Sequence, residues 1–133
     1  MKKSSKLIIG IAIVIIILAI IFLILRSSED DWIKDSRGVW IKHGNPDQTK
    51  TPNYVTQQQA LIQNVTDLYN SKKQEMNFSS QCLGTIEDYA IDIVHVPRAN
   101  EDDNTENQCP AFLNKTVGYF VELDKDGNII RIA

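Results

Sequence analysis

An α+β domain behind a single N-terminal transmembrane helix is the fold this sequence predicts, and three observations carry that reading. Residues Leu7 to Leu25 are nineteen in a row without a charged or polar side chain. A second stretch, from Thr56, repeats its apolar residues at helical spacing. The other apolar residues fall in short β-branched and aromatic runs broken by turn residues, which is the pattern of strands. Together they predict one helix packed on a mainly antiparallel sheet.

The first run, at ~1.5 Å per residue, makes a helix of roughly 28 Å, close to a hydrocarbon core of about 30 Å. A cleaved signal peptide has a shorter apolar region ending in small residues, whereas Arg26 follows this one. No cysteine follows the run to carry a lipid. The expected division is a tail of residues 1–6, a span of residues 7–25 in the lipid bilayer, a juxtamembrane segment 26–31 and a domain of residues 32–133. Lys2, Lys3 and Lys6 favour a cytoplasmic N-terminus, although Arg26, Lys34, Arg37 and Lys42 weaken a bare charge count. A long C-terminal domain translocates largely regardless of its own charge. The expectation is therefore a single-pass protein of the cell membrane with its C-terminal domain outside.

Three of the fourteen basic residues precede the span, so residues 26–133 carry all seventeen acidic side chains against eleven basic ones, a net charge of −6. Such a surface is a poor match for nucleic acid and suits solubility beside a membrane.

The elements follow in order. Asp31–Lys34 and Val39–His43 flank Asp35-Ser36-Arg37-Gly38, whose glycine can adopt a positive φ, and the pair reads as a hairpin. Residues 45–53, with Pro46 and Pro52, read as a linker. A helix is expected from Thr56, with Thr56 and Gln59 as a capping box and Val55 packing on Ala60. Leu61, Ile62, Val65, Leu68 and Tyr69 form its apolar stripe, and it frays near Lys73 to Asn77. Tyr89 to Val96 reads as a central strand stopped by Pro97. Arg98 to Gln108 is an acidic loop expected to stay in solvent. Thr116 to Leu123 and Asn128 to Ile132 then bracket the turn Asp124-Lys125-Asp126-Gly127.

Cys82 and Cys109 are the only cysteines. An even pair in a small domain reads as one disulfide formed in an oxidising compartment, worth roughly 3 to 4 kcal/mol on the chain-entropy argument. A redox or metal role would call for a CxxC pair or nearby histidines, and neither is present.

Other motifs carry less. Asp124-Lys125-Asp126-Gly127-Asn128 resembles the opening of a calcium loop but lacks the third acidic position and the glutamate at position twelve. His43 and His95 could join Glu87, Asp88 or Asp92 at a metal, but Asp92 and His95 point to opposite faces of a strand. No metal, cofactor or catalytic residue is expected, and no Gly-x-Ser-x-Gly elbow appears. Asn64, Asn77 and Asn114 open Asn-x-Ser/Thr triplets; Asn64 falls inside the helix, which leaves Asn77 and Asn114 as glycosylation candidates. Trp32 and Trp40, near the anchor, are the candidate contact residues.

The segments Trp40–Arg98 in part (Trp40-Ile41-Lys42-His43-Gly44-Asn45-Pro46, Cys82-Leu83-Gly84, and Tyr89 through Arg98), with Glu106-Asn107-Gln108-Cys109 and Asp126-Gly127-Asn128, resemble uncharacterised single-span proteins of small-genome archaea and related environmental lineages. The resemblance implies an anchored extracytoplasmic domain and names no reaction. The chain departs from that pattern in having no cysteine before Lys34, which removes a second disulfide. The leading expectation is a tethered interaction module contacting an envelope or surface protein or glycan. Two rivals stand beside it. One is a pilin-like filament subunit, against which count the missing glutamate and the absence of a small residue at the Lys6–Leu7 junction. The other is a small envelope hydrolase, which would require a pocket gathering a histidine with carboxylates.

Overall fold

Helix α1 covers Lys2–Ser27 and follows directly from the apolar run. In the computed structural model, which describes residues 2–27, 30–75 and 80–133, its Ile8–Leu25 stretch is long and apolar enough to cross a membrane and none of it is buried by protein.

Two compact units divide the chain, one of Met1–Ile33 with Lys42–Lys50 and one of Lys34–Ile41 with Thr51–Ala133. In the first, Trp32 is buried with the Lys42 ammonium 5.9 Å from its ring, and the Asn45 N–H donates to Asp30 Oδ1 at 2.9 Å. A single 3₁₀ turn, Gln48–Lys50, closes this unit.

Strands β1 (Asp31–Lys34) and β2 (Trp40–His43) form the expected two-stranded sheet. Their turn belongs to the second unit. Asp35 Oδ1 accepts the N–H groups of Arg37 (2.9 Å) and Val39 (3.0 Å), and Gly38 takes φ +82°. A side chain at Gly38 would also collide with the Ile132 carbonyl, whose residue donates its own N–H to Arg37 O at 2.8 Å.

Helix α2 runs Asn53–Lys72, so it starts three residues before the expected Thr56. The capping box is corrected as well. Pro52, extended at φ −63° and ψ 148°, is the N-cap, and its carbonyl accepts from Val55 and Thr56. The Thr56 hydroxyl instead donates to Asn53 O at 2.9 Å and is spent within the first turn. The apolar stripe is as expected: Leu61, Val65 and Tyr69 are buried, with Leu68 packed beside them.

A four-stranded sheet follows in the order β3 (Gln81–Ile86), β4 (Tyr89–Ile93), β5 (Tyr119–Leu123), β6 (Ile129–Ile132). Strands β3 and β4 pair antiparallel, as do β5 and β6, while β4 and β5 run parallel. The sheet is thus mixed rather than purely antiparallel. A parallel pair needs a crossover, and residues 94–118 supply it, with the 3₁₀ turn Asn100–Asp103 and the short helix α3 (Pro110–Leu113). The β3 strand was not legible: its Gly84 and a bulge at Leu83 break the alternation that marks a strand. The β4 strand is central, but it ends at Ile93 rather than Val96.

Alternation in β4 assigns the two faces of the sheet. Ile91 and Ile93 join Leu83, Val121 and Leu123 beneath Leu61, Val65 and Tyr69 of α2. Ala90 and Asp92 face the other way, where Cys109, Val117, Phe112 and Phe120 make a second, smaller cluster. Each fully buried aliphatic side chain in the main cluster stabilises the fold by about 1.5–3 kcal/mol relative to exposure.

Candidate functional site

Register places one residue of each strand in a row across the face opposite α2. Cys82 of β3 lies beside Asp92 of β4, Asp92 beside Glu122 of β5, and Glu122 beside Arg131 of β6. The crossover segment lies over this row. A cavity of about 120 Å³ remains beneath it, lined by Asp92, Glu122 and Arg131 of the row and by Ser80, Arg98, Asp102, Gln108, Phe112 and Phe120.

Glu122 is buried and well served. Arg98 Nη1 donates to Oε1 at 2.7 Å, and Arg131 donates Nε to Oε2 at 3.0 Å and Nη2 to Oε1 at 3.2 Å. Arg131 also lies with its guanidinium carbon 4.6 Å from the Phe120 ring centre. Arg98 holds Asp103 as well, at 2.9 Å. These bonds raise the Arg98 guanidinium's affinity for its proton, chiefly through Glu122 and Asp103.

Asp92 is the opposite case. Its Oδ1 is buried without a hydrogen-bond partner. Burial pushes its carboxyl up from 3.8 to about 6; the Cys109 N–H opposes this, the Glu122 charge adds to it, and Arg98 opposes it again. Two neighbouring carboxyls thus stand in contrasting environments, one paired with guanidiniums and one left nearly bare.

The Cys82–Cys109 disulfide is present, across 27 residues of sequence. Sulfur atoms of both residues and a carboxylate oxygen of Asp92 all lie within 4.8 Å of one another. With the sulfurs joined there is no thiolate to bind a metal, so this triplet is not a ligand set.

Most of Arg98 to Gln108 is exposed, as expected, and the exception is one buried acid. Asp102 is 3% exposed, because it accepts the His95 N–H, the His95 ring at Nδ1 (2.9 Å) and the Ala99 N–H (2.8 Å). Burial alone would raise the Asp102 carboxyl, and the Ala99 and His95 donors overturn that to hold it below the usual range. His95 moves the other way, its pKa raised mainly by the bond to Asp102. His95 therefore lies beyond the strand with a carboxylate of its own, away from Asp92. His43 is exposed at the end of β2.

A second concavity lies at the other end of the same unit. A groove of about 540 Å³ is bordered by Lys34, Trp40, Tyr54, Gln57, Glu87, Tyr89 and Tyr119. Its rings come in two pairs, Trp40 with Tyr54 (centroids 4.6 Å apart) and Tyr89 with Tyr119 (5.2 Å). The Lys34 ammonium lies 5.2 Å from the Trp40 ring. Gln58 holds this wall in place: its Oε1 accepts the Trp40 N–H at 2.6 Å and its Nε2 donates to Gly38 O at 2.8 Å.

Of the two tryptophans singled out from sequence, Trp40 is half-buried and borders the groove, whereas Trp32 is buried. Asn114 is exposed just after α3, Asn64 is exposed on α2, and Asn77 lies outside the described residues. The Asp124 turn is closed by its own carboxylate, which accepts from the Asp126 and Asn128 backbone N–H groups and the Asn128 amide. Tyr54, Tyr89, Tyr119 and Asp92 were missed as site residues. Only Asp92, a lone acid inside an apolar strand, left a signal in the sequence.

Neither a protein-family model, nor a curated protein, nor a solved structure matches this chain.

Proposed function

We propose that the chain is a membrane-anchored binding module whose domain stands outside the cell and takes an uncharged stretch of envelope glycan into the aromatic groove. The observation that carries this reading is the groove itself, with its four rings in two tilted pairs. Ring faces pack against the C–H faces of sugars, and tyrosine hydroxyls and the Gln57 amide can bond their hydroxyls. The groove's volume falls in the ordinary range for small-molecule sites. One lysine and one glutamate border it, so its side chains offer no net charge to select a strongly charged ligand.

The anchor reading rests on the length and composition of Ile8–Leu25. The outward orientation is supported by the N-terminal lysines and by the disulfide, which suits an oxidising compartment. Kinship with single-span archaeal proteins is part of the same proposal and rests on the motifs quoted above.

Two experiments test it. Protease added to intact cells should remove the domain and leave α1 protected; an untouched domain overturns the orientation. The full chain in nanodiscs should bind neutral hexasaccharides of glucose, mannose or N-acetylglucosamine saturably, read through Trp40 fluorescence, and Tyr119→Ala should weaken that binding about tenfold or more. A panel without any saturable response overturns the glycan assignment.

A further inference from the structure

We propose that Cys82–Cys109 is an exchangeable disulfide, opened by a dithiol that attacks Cys82 Sγ, with the Asp92 carboxyl delivering a proton to the departing Cys109 sulfur. The two sulfurs are unequal in access: Cys82 is half-buried, whereas Cys109 is 0% exposed. Cys82 is therefore the more open of the two to a nucleophile, and Cys109 is the leaving group. A thiolate left at Cys109 would be costly, since it would sit in an apolar cluster beside the carbonyl oxygens of Gly84 (3.3 Å) and Ile91 (3.5 Å). The same carbonyls are placed to accept a hydrogen bond from a neutral Cys109 thiol. What the step needs is a proton source, and Asp92 has a carboxylate oxygen within 4.8 Å of both sulfurs and a buried oxygen that bonds nothing. Burial keeps that carboxyl protonated to about pH 6, near the range in which it can act as a general acid.

The step balances. One thiolate of the dithiol bonds to Cys82 Sγ, the S–S bond breaks with its electron pair on Cys109 Sγ, and that sulfur takes the Asp92 proton. The second thiol of the reductant then attacks its own bonded sulfur, releases Cys82 and leaves as a cyclic disulfide. The protein gains two electrons and two protons, and solvent reprotonates Asp92. In the oxidising direction the Asp92 carboxylate removes the Cys109 proton. The charged groups that line the same cavity as Asp92 are Glu122 of β5, Arg131 of β6, and Arg98 and Asp102 of the crossover. The proposal is independent of the glycan groove.

Reduction of the full chain in nanodiscs by dithiothreitol, followed from about pH 4.5 to 8.5, tests it once each rate is divided by the thiolate fraction of the reductant. The corrected rate should fall about tenfold or more as pH rises through about 6, and Asp92→Asn should be slow and flat throughout. Arg98→Gln, which removes a charge that lowers the Asp92 pKa, should move the break to higher pH. A monothiol in excess should be found on Cys82, with Cys109 open to alkylation. A flat wild-type profile, or the adduct on Cys109, overturns the proposal and leaves a purely structural bridge.

Discussion

Replacing Asp92 by asparagine should stabilise this protein at neutral pH, against the usual effect of altering a residue in a sheet. The folded pKa of Asp92 is raised from 3.8 to about 6, mainly by burial. Below about pH 4 both folded and unfolded chains hold this proton, and the residue adds no pH dependence. Between about 4 and 6 the folded state keeps a proton that the unfolded state has lost, so stability falls as pH rises. Above about 6 the full penalty stands. A shift of about two units corresponds to a ceiling of about 3 kcal/mol, and the partial solvent contact of Asp92 reduces this to about 1–2 kcal/mol. Asparagine keeps an oxygen for the Cys109 N–H and never ionises. In thermal unfolding of the full chain with its disulfide intact, Asp92→Asn should raise the midpoint by about 5 °C or more at pH 7.5. The gain should vanish near pH 4. A variant that is less stable at pH 7.5, or whose difference from wild type ignores pH, would refute the account of Asp92 as a bare buried acid.

Three further outcomes are expected. Gly127→Ala should cost about 2 kcal/mol or more in chemical denaturation, since φ is +84° and a Cβ would stand 2.7 Å from the Tyr69 ring, whose hydroxyl bonds Lys125 O. Asp102→Asn should cost about 2–4 kcal/mol by failing to serve both backbone donors and the His95 ring. By NMR titration the His95 midpoint, raised above 6.5 in the wild type, should drop in this variant; the stability His95 confers is present below its unfolded pKa and is lost as pH rises through the folded one. Gln58→Ala should cost about 1–3 kcal/mol and free the Trp40 ring, seen as a red shift and broadening of its fluorescence, because Gln58 joins Trp40 N–H and Gly38 O to α2.

The fold was largely legible because its main signals are periodic. The apolar run, the stripe Leu61–Val65–Tyr69 and the turns at Gly38 and Gly127 each act through local spacing or backbone freedom, and all appear where the pattern places them. The β3 strand was not, since Gly84 and the bulge at Leu83 interrupt alternation for a reason visible only in the pairing with β4. The parallel β4–β5 pair was equally hidden: sequence order alone cannot tell a crossover from a wide hairpin. Site residues suffered most. Tyr54, Tyr89 and Tyr119 come from a helix and two strands, and nothing local marks them as neighbours. The arithmetic that set Asp92 and His95 on opposite faces assumed a strand through Val96, whereas the strand stops at Ile93 and His95 turns to Asp102.

The two faces of one sheet explain why a buried acid and a disulfide occupy the same place. The α2 face is sealed by aliphatic side chains and can be closed by packing alone. The opposite face carries the row Cys82, Asp92, Glu122 and Arg131, which no apolar helix could cover without stranding charge. A crossover segment rich in polar groups covers it instead: Arg98 meets Glu122, Asp102 gathers its own backbone donors, and Cys109 is bonded to Cys82. The smaller cluster of Cys109, Val117, Phe112 and Phe120 holds that cover down, and the covalent link adds to its stability. Asp92 sits under the cover at the link. Its ionisation weakens the cover, and breaking the link releases it, so proton and electron act on one segment. The two effects should be non-additive: Asp92→Asn should gain less stability at pH 7.5 in the reduced chain than in the oxidised one, because a cover already released lets water reach the carboxylate. Equal gains in both states would show that burial of Asp92 does not depend on the bridge.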